Sequence, residues 1–245
     1  MIPFKLLDTA TEHGTTLRLY QSGADFSIRV DKAGDLMNSR THHSEDVLAE
    51  LACEHIAGRK SPHLLVGGLG MGFTLAAVLA NTTPCARVTV SELLPAVVRW
   101  NREYLGIVAG FPLDDTRVEV VEQDVGKVMS EHQNGFDAIM LDVDNGPDAF
   151  TVDDNEALYG LHGLNNAYAS LKPGGILTIW SAFPDTDFTQ RMMKIGFDVE
   201  IRRVRAHAKQ RSIRHTIWIG VRPGNLFSLH SALGANLPGN RDIPG

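Results

Sequence analysis

From His63 onward the chain alternates short, near-continuous apolar runs with helical stretches, and this alternation constrains the fold more than any other feature. Leu64–Val66, Val88–Val90, Val118–Val121, Ala138–Leu141 and Ile176–Trp180 read as buried strands. Phe73–Ala80, Pro95–Tyr104, Glu156–Leu171 and Asp187–Lys194 read as the helices between and after them. Strands that are apolar throughout need cover on both faces, so the pattern predicts a parallel sheet with helices on each side. Two longer runs, Phe197–Val204 and Thr216–Val221, have no helix between them and predict an antiparallel pair closing the sheet. The expected fold class is therefore α/β, a doubly wound, mostly parallel, seven-stranded sheet.

The first stretch has a different texture. Thr16–Tyr20 and Phe26–Val30 alternate apolar and other residues around Ser22–Asp25, the signature of a hairpin. A helix is expected from Ser44 as N-cap to about Ala57, because Val47, Leu48, Leu51, Ala52, His55 and Ile56 recur at helical spacing. These boundaries divide the chain into a β-hairpin extension (1–43), one α/β domain (44–223) and a loose, Gly- and Pro-containing tail (224–245). At 245 residues and 43% hydrophobic composition the chain can bury a large core without staples. Its 29 acidic and 23 basic residues give a net charge of -6, which offers no reason to expect a nucleic-acid partner. No apolar run approaches the roughly 20 residues that span a bilayer, and Met1–Asp8 has no signal-peptide pattern. Two cysteines, Cys53 and Cys85, are too few for a disulfide framework or a four-thiolate zinc site. A cytoplasmic protein with no membrane partner is expected.

The chemistry is expected at the strand ends. Leu64–Val66 runs into Gly67-Gly68-Leu69-Gly70-Met71-Gly72, and a helix starts at once with Phe73. Glycines let a backbone turn tightly and approach a ligand, and a helix N-terminus offers unpaired N–H groups. The same text also suits a plain strand-to-helix turn. Glu92 ends the next strand about twenty residues on, where an acid accepts the ribose hydroxyls in doubly wound folds; capping before Pro95 is its alternative role. Asp124 and Val125 follow the third strand, where an acid can take an adenine amine with Val125 against the ring; capping the next helix competes for Asp124. Asp142 and Asp144 follow the fourth strand, in Asp142-Val143-Asp144-Asn145-Gly146-Pro147. Paired acids facing the binding crevice can orient or deprotonate an amine, whereas an Asx-turn explains Asn145 better than it explains the acids.

The order and spacing of these four elements resemble the class I S-adenosylmethionine-dependent transferases of Rossmann-like fold, and more narrowly the spermidine synthase branch, the polyamine aminopropyltransferases. The resemblance covers roughly Leu17 to Val221. It implies a donor, S-adenosylmethionine or its decarboxylated form, held by Gly67, Gly68, Gly70 and Gly72, with Glu92 at the ribose and Asp124-Val125 at the adenine. It also implies that Asp142 faces the nucleophile of a small-molecule acceptor, with Asp144 beside it, and that the protein is a homodimer.

Several features depart from the family pattern. Its glycine turn, Gly-Gly-Gly-Asp-Gly-Gly, carries an acid for the cationic aminopropyl end where this chain has Gly70. Its Tyr-His-Glu or Tyr-Gln-Glu element is replaced by Ser44-Glu45-Asp46, the acidic loop is one residue shorter, and its Thr-Tyr-Pro segment has no counterpart. Arg202, Arg203, Arg205, Lys209, Arg211 and Arg214 crowd the final hairpin, which suits a solvated face with one or two residues left for an anionic group. His43 and Glu45 are taken as substrate contacts. No metal is expected, because His42-His43 point apart and have no partner at ligand spacing. Methyl and aminopropyl transfer both remain open. A non-catalytic nucleotide-binding or dimerisation protein is the alternative from another class. An NAD-dependent oxidoreductase would leave Asp124 and the fourth strand end unexplained.

Overall fold

The computed structural model describes residues 3–12, 14–30, 34–143, 157–206 and 214–224. Asp144, Lys209, Arg211 and the expected tail from 225 onward lie outside the described residues.

Seven strands form the main sheet: β5 (His63–Gly67), β6 (Arg87–Ser91), β7 (Val118–Val121), β8 (Phe136–Leu141), β9 (Leu171–Ser181), β10 (Asp198–Arg205) and β11 (Arg214–Val221). Their order is β10-β11-β9-β8-β5-β6-β7. β5 pairs in parallel with both β6 and β8, and the last two strands are antiparallel, as the sequence predicts. Every residue of β5 and β8 is buried. Alternate side chains leave a strand on opposite faces. Leu64 and Val66 accordingly join one core with Leu48, Val88 and Trp100, while Leu65 joins the other with Ile139, Phe188 and Trp218.

The helices are α1 (His43–His55), α2 (Phe73–Asn81), α3 (Pro95–Trp100), α4 (Gly106–Ala109), α5 (Val125–Ser130), α6 (Leu161–Ser170) and α7 (Thr186–Ile195). α7 shows why its ends fall where they do. Asp185 accepts the Phe188 N–H at 2.9 Å as an N-cap, and Gly196, at φ +110°, takes the left-handed conformation that stops the helix. Some local expectations are corrected. Ser44 is not the N-cap of α1: His42 occupies that place, and Ser44 turns inward and is fully buried. The helix expected over 156–171 is interrupted by extended backbone at Gly160, and α6 starts only at Leu161. The stretch expected as one helix over 95–104 becomes a π-helical turn at Asn101–Leu105. There the Asn101 amide reaches both Val97 O (2.9 Å) and Gly70 O (2.8 Å).

The expected hairpin is present as β2 (Thr15–Ser22) and β3 (Asp25–Val30), and β1 (Lys5–Glu12) and β4 (Gly34–Asn38) extend it to a four-stranded antiparallel sheet. Leu17, Leu19 and Ile28 bury its inner face. Two carboxylates fasten it to α3. Asp8 accepts from Trp100 Nε1 (2.7 Å) and Arg99 (2.8 Å), and Glu12 accepts the Ala96 N–H (3.1 Å) at the start of the helix. No helix among the described residues is long and apolar enough to cross a membrane.

At the opposite end of the sheet from the glycine turn, Asp137 is buried and ties three elements together. It accepts from Arg59 (2.6 Å), from Lys172 (2.6 Å) and from the His63 N–H (2.7 Å). Burial by itself raises its pKa, but the Lys172 ammonium, the His63 N–H and Arg59 outweigh it and hold the carboxyl below its ordinary value. Removing one partner of a buried pair costs roughly 3–5 kcal/mol, and both cations here remain partly in water. Asp137→Ala should therefore lower unfolding stability by about 3 kcal/mol in urea titration, while Asn, which keeps an acceptor for His63, should cost less.

Candidate active site

The C-terminal ends of β5, β6 and β8 converge, and the loop leaving each strand supplies one part of the site. The Gly68 N–H donates to Ser91 O (2.8 Å) at the end of β6, and the Asp142 N–H donates to Gly67 O (2.9 Å) at the end of β5. Such contact leaves no space for side chains. A Cβ on Gly67 would stand 2.8 Å from Val125 Cγ2, and one on Gly68, where φ is +88°, would run into the Asp142 carbonyl. Gly70 (φ +52°) faces the Met37 sulfur of β4, and Gly72 (φ +86°) leads into α2. The four glycines thus form a backbone cradle directed by its neighbours.

Glu92 is 8% exposed and holds this cradle in shape. One carboxylate oxygen accepts the Leu69 N–H (2.8 Å) and the other the Leu94 N–H (3.0 Å). Burial pushes its pKa up, against the pull of these donors. Asp124 is the N-cap of α5, accepting the Lys127 N–H at 3.0 Å, which is the capping role left open by the sequence. Val125 behind it is buried against Gly67.

Two further carboxylates meet in front of the cradle. Asp142 accepts a 2.6 Å hydrogen bond from the Thr74 hydroxyl in the first turn of α2. Glu45, in the first turn of α1, accepts one of 2.6 Å from Ser44. Burial pushes Asp142 up to about 6, and burial together with the Asp142 charge pushes Glu45 up to about 7. Each carboxylate raises the cost of ionising the other, so the pair attracts a proton or a cationic ligand. His43, the first residue of α1, is partly buried. Its neighbour His42 stacks on Phe73 at 4.4 Å and contacts Asp46 at 2.8 Å.

The structure therefore brings together the glycine cradle, Glu92, Asp142 and Glu45, and places Asp124 and Val125 at its edge. Sequence reasoning does not single out Thr74, Met37, Asn101 or His215. Thr74 is the most accessible of these to such reasoning: it lies just past the glycine turn, and pairing β5 with β8 sets it against Asp142. The described basic residues of the last hairpin turn to solvent instead. Arg202, Arg203, Arg205 and Arg214 are exposed, and Arg202 pairs with Glu200. Among the described residues no three His, Cys, Asp or Glu side chains cluster as metal ligands.

Residues 44–206 match the spermine/spermidine synthase domain. The chain belongs to that family. It is 38% identical over 158 residues to a polyamine aminopropyltransferase of Thermoanaerobacter sp., a match covering 62% of this chain and 54% of the relative. It thus spans about half the length of that curated relative. Its fold resembles spermidine synthase from Thermotoga maritima (TM-score 0.71, 16% identity, 89% of this chain and 73% of that one). An O-methyltransferase family protein from Burkholderia thailandensis shares the same sheet at TM-score 0.54 and 19% identity, over 75% of this chain and 56% of that one. The spermidine synthase resemblance read from the strand ends is thereby borne out.

The carboxylate pair makes a prediction about stability. A carboxyl whose pKa is raised by folding binds more protons in the native state, so its contribution is greatest below the unfolded value and falls as pH rises to the folded one. For Glu45 that window runs from its ordinary value, 4.5, to about 7. Glu45→Gln should remove this penalty. Thermal melts of variant and wild type should separate progressively between about pH 5 and 7, with the variant gaining at the upper end. Parallel curves would show that Glu45 is not buried against Asp142.

Proposed function

We propose that the chain is an aminopropyltransferase, moving the aminopropyl group of decarboxylated S-adenosylmethionine to a small amine. The observation that carries this reading is the Glu45–Asp142 pair beside the glycine cradle, in a chain of the spermine/spermidine synthase family. The residues suit the donor. Glu92, at the end of β6, stands where doubly wound folds place the acid that accepts ribose hydroxyls. The cradle at Gly67 and Gly68 admits a ligand where a side chain would not fit. Asp124-Val125 lies where an adenine would rest. The carboxylate pair can receive the acceptor amine.

In the step itself, the neutral amine nitrogen forms a bond to the propyl carbon attached to sulfur. The C–S bond breaks, its electron pair returns to sulfur, and the sulfonium becomes a neutral thioether. The amine proton passes to Asp142, which Thr74 holds by one oxygen, leaving the other for the nucleophile. Alignment can supply several kcal/mol of the barrier reduction, and a positioned base typically a further 10²–10⁴-fold. Methyl transfer is the second reading, favoured by Gly70, because an acid there would repel the carboxylate of intact S-adenosylmethionine. Exposed Leu6 on the open edge strand β1, and exposed Phe4 just before it, support a homodimer, which light scattering would check.

Product mass decides between the donors when putrescine and other small amines are offered with each. The aminopropyl increment is expected with the decarboxylated donor, and a methyl increment with the intact one would favour the second reading. Asp142→Asn should lower turnover by at least about a hundredfold while keeping donor affinity within a few-fold. Glu92→Ala should instead weaken donor binding by about 2–4 kcal/mol in calorimetry, as two hydroxyls lose a charged acceptor. Wild-type turnover in Asp142→Asn would remove it from the reaction.

A further inference from the structure

His215 lies on β11 and reaches Ser44, 171 residues earlier in the chain, with Nδ1 at 2.9 Å from Oγ. Ser44 is fully buried, and its hydroxyl has a single proton. That proton is directed to Glu45, whose Oε2 is 2.6 Å away. The remaining contact of Ser44 with His215 must then be one in which the ring donates and Oγ accepts. This places the imidazole proton on Nδ1. The ring also makes an edge-on contact with Trp180, centroids 4.7 Å apart at 70°. Partial burial lowers the His215 pKa, favouring the neutral ring. Chains of hydrogen bonds polarise one another, so a donor behind Ser44 strengthens its bond to the carboxylate.

We infer that His215 is a positioning residue, which orients Ser44 so that one oxygen of Glu45 is held and the other is presented to the amine ligand. The arrangement mirrors Thr74 on Asp142. Each acid of the pair is anchored through one oxygen by a hydroxyl, but only Ser44 is itself directed by a third side chain from a distant strand. This inference rests on the reading of Glu45 as an amine site.

Two substitutions separate direction from packing. His215→Asn keeps an N–H donor near the place of Nδ1 but loses the ring against Trp180. His215→Phe keeps a ring there and has no donor. The inference predicts that His215→Phe raises KM for the amine about tenfold or more, with donor affinity unchanged, and that Asn restores most of the loss. A packing role predicts the reverse order, and that order, or a Phe variant equal to wild type, would overturn the inference. Nitrogen-15 NMR of the histidine rings supplies a readout that needs no turnover. Wild type should show His215 protonated at Nδ1, and Ser44→Ala should shift it toward Nε2. An Nε2-protonated ring in wild type overturns the inference even if transfer is observed. A chain that transfers nothing to any amine, yet shows the Nδ1 proton and its dependence on Ser44, overturns the transfer reading and supports the hydrogen-bond order.

Discussion

The structure depends on one close approach, the meeting of β5, β6 and β8 at Gly67 and Gly68. Three backbones come so near there that Val125, Leu141 and the Asp142 carbonyl occupy the space a side chain would need. Parallel strands end in register at this point, Gly67 opposite Ser91 on one side and Leu141 on the other. The residue after each strand is therefore delivered to one small volume. Glu92, Asp142 and the first turn of α2 are neighbours because their strands stop together, and this is the crevice at which open α/β sheets bind ligands.

Electrostatics divide the molecule into two ends with opposite solutions to buried charge. At the far end Asp137 is ionised and matched by two cations and a backbone donor. At the near end Glu92, Glu45 and Asp142 have only hydroxyl and N–H donors, and their pKa values rise. A carboxyl matched by cations stabilises the fold, whereas one left without them is costly to ionise. Perturbed carboxyls gather at functional sites for this reason.

Much of the architecture is legible in the sequence because it comes from local pattern. The five parallel strands and the closing pair appear as apolar runs, and the glycine turn and Glu92 appear through spacing. The edge strands of the N-terminal sheet are not legible. β1, Lys5–Glu12, has an irregular mixture of exposed and half-buried residues, and β4 is only five residues long. The site is legible in its parts rather than its pairing. Glu45 and Asp142 are far apart in the chain, and only the packing of α1 beside α2 sets them against each other. Ser44 reads from residue type as a cap, although its hydroxyl serves Glu45 and His215. A serine before an amphipathic run carries the same local signal in either role.

The π-helical turn after α3 joins two parts of the molecule that otherwise have separate tasks. Trp100 is gripped by Asp8 of the N-terminal sheet, and the next residue, Asn101, grips the Gly70 carbonyl. Consecutive residues thus carry a mechanical connection from the edge strand of the small sheet to the floor of the glycine cradle. The small sheet is then a brace as well as a cover. A load that shifted it, such as a second subunit docking on its outer edge, would reach the cradle through two side chains and one turn of helix.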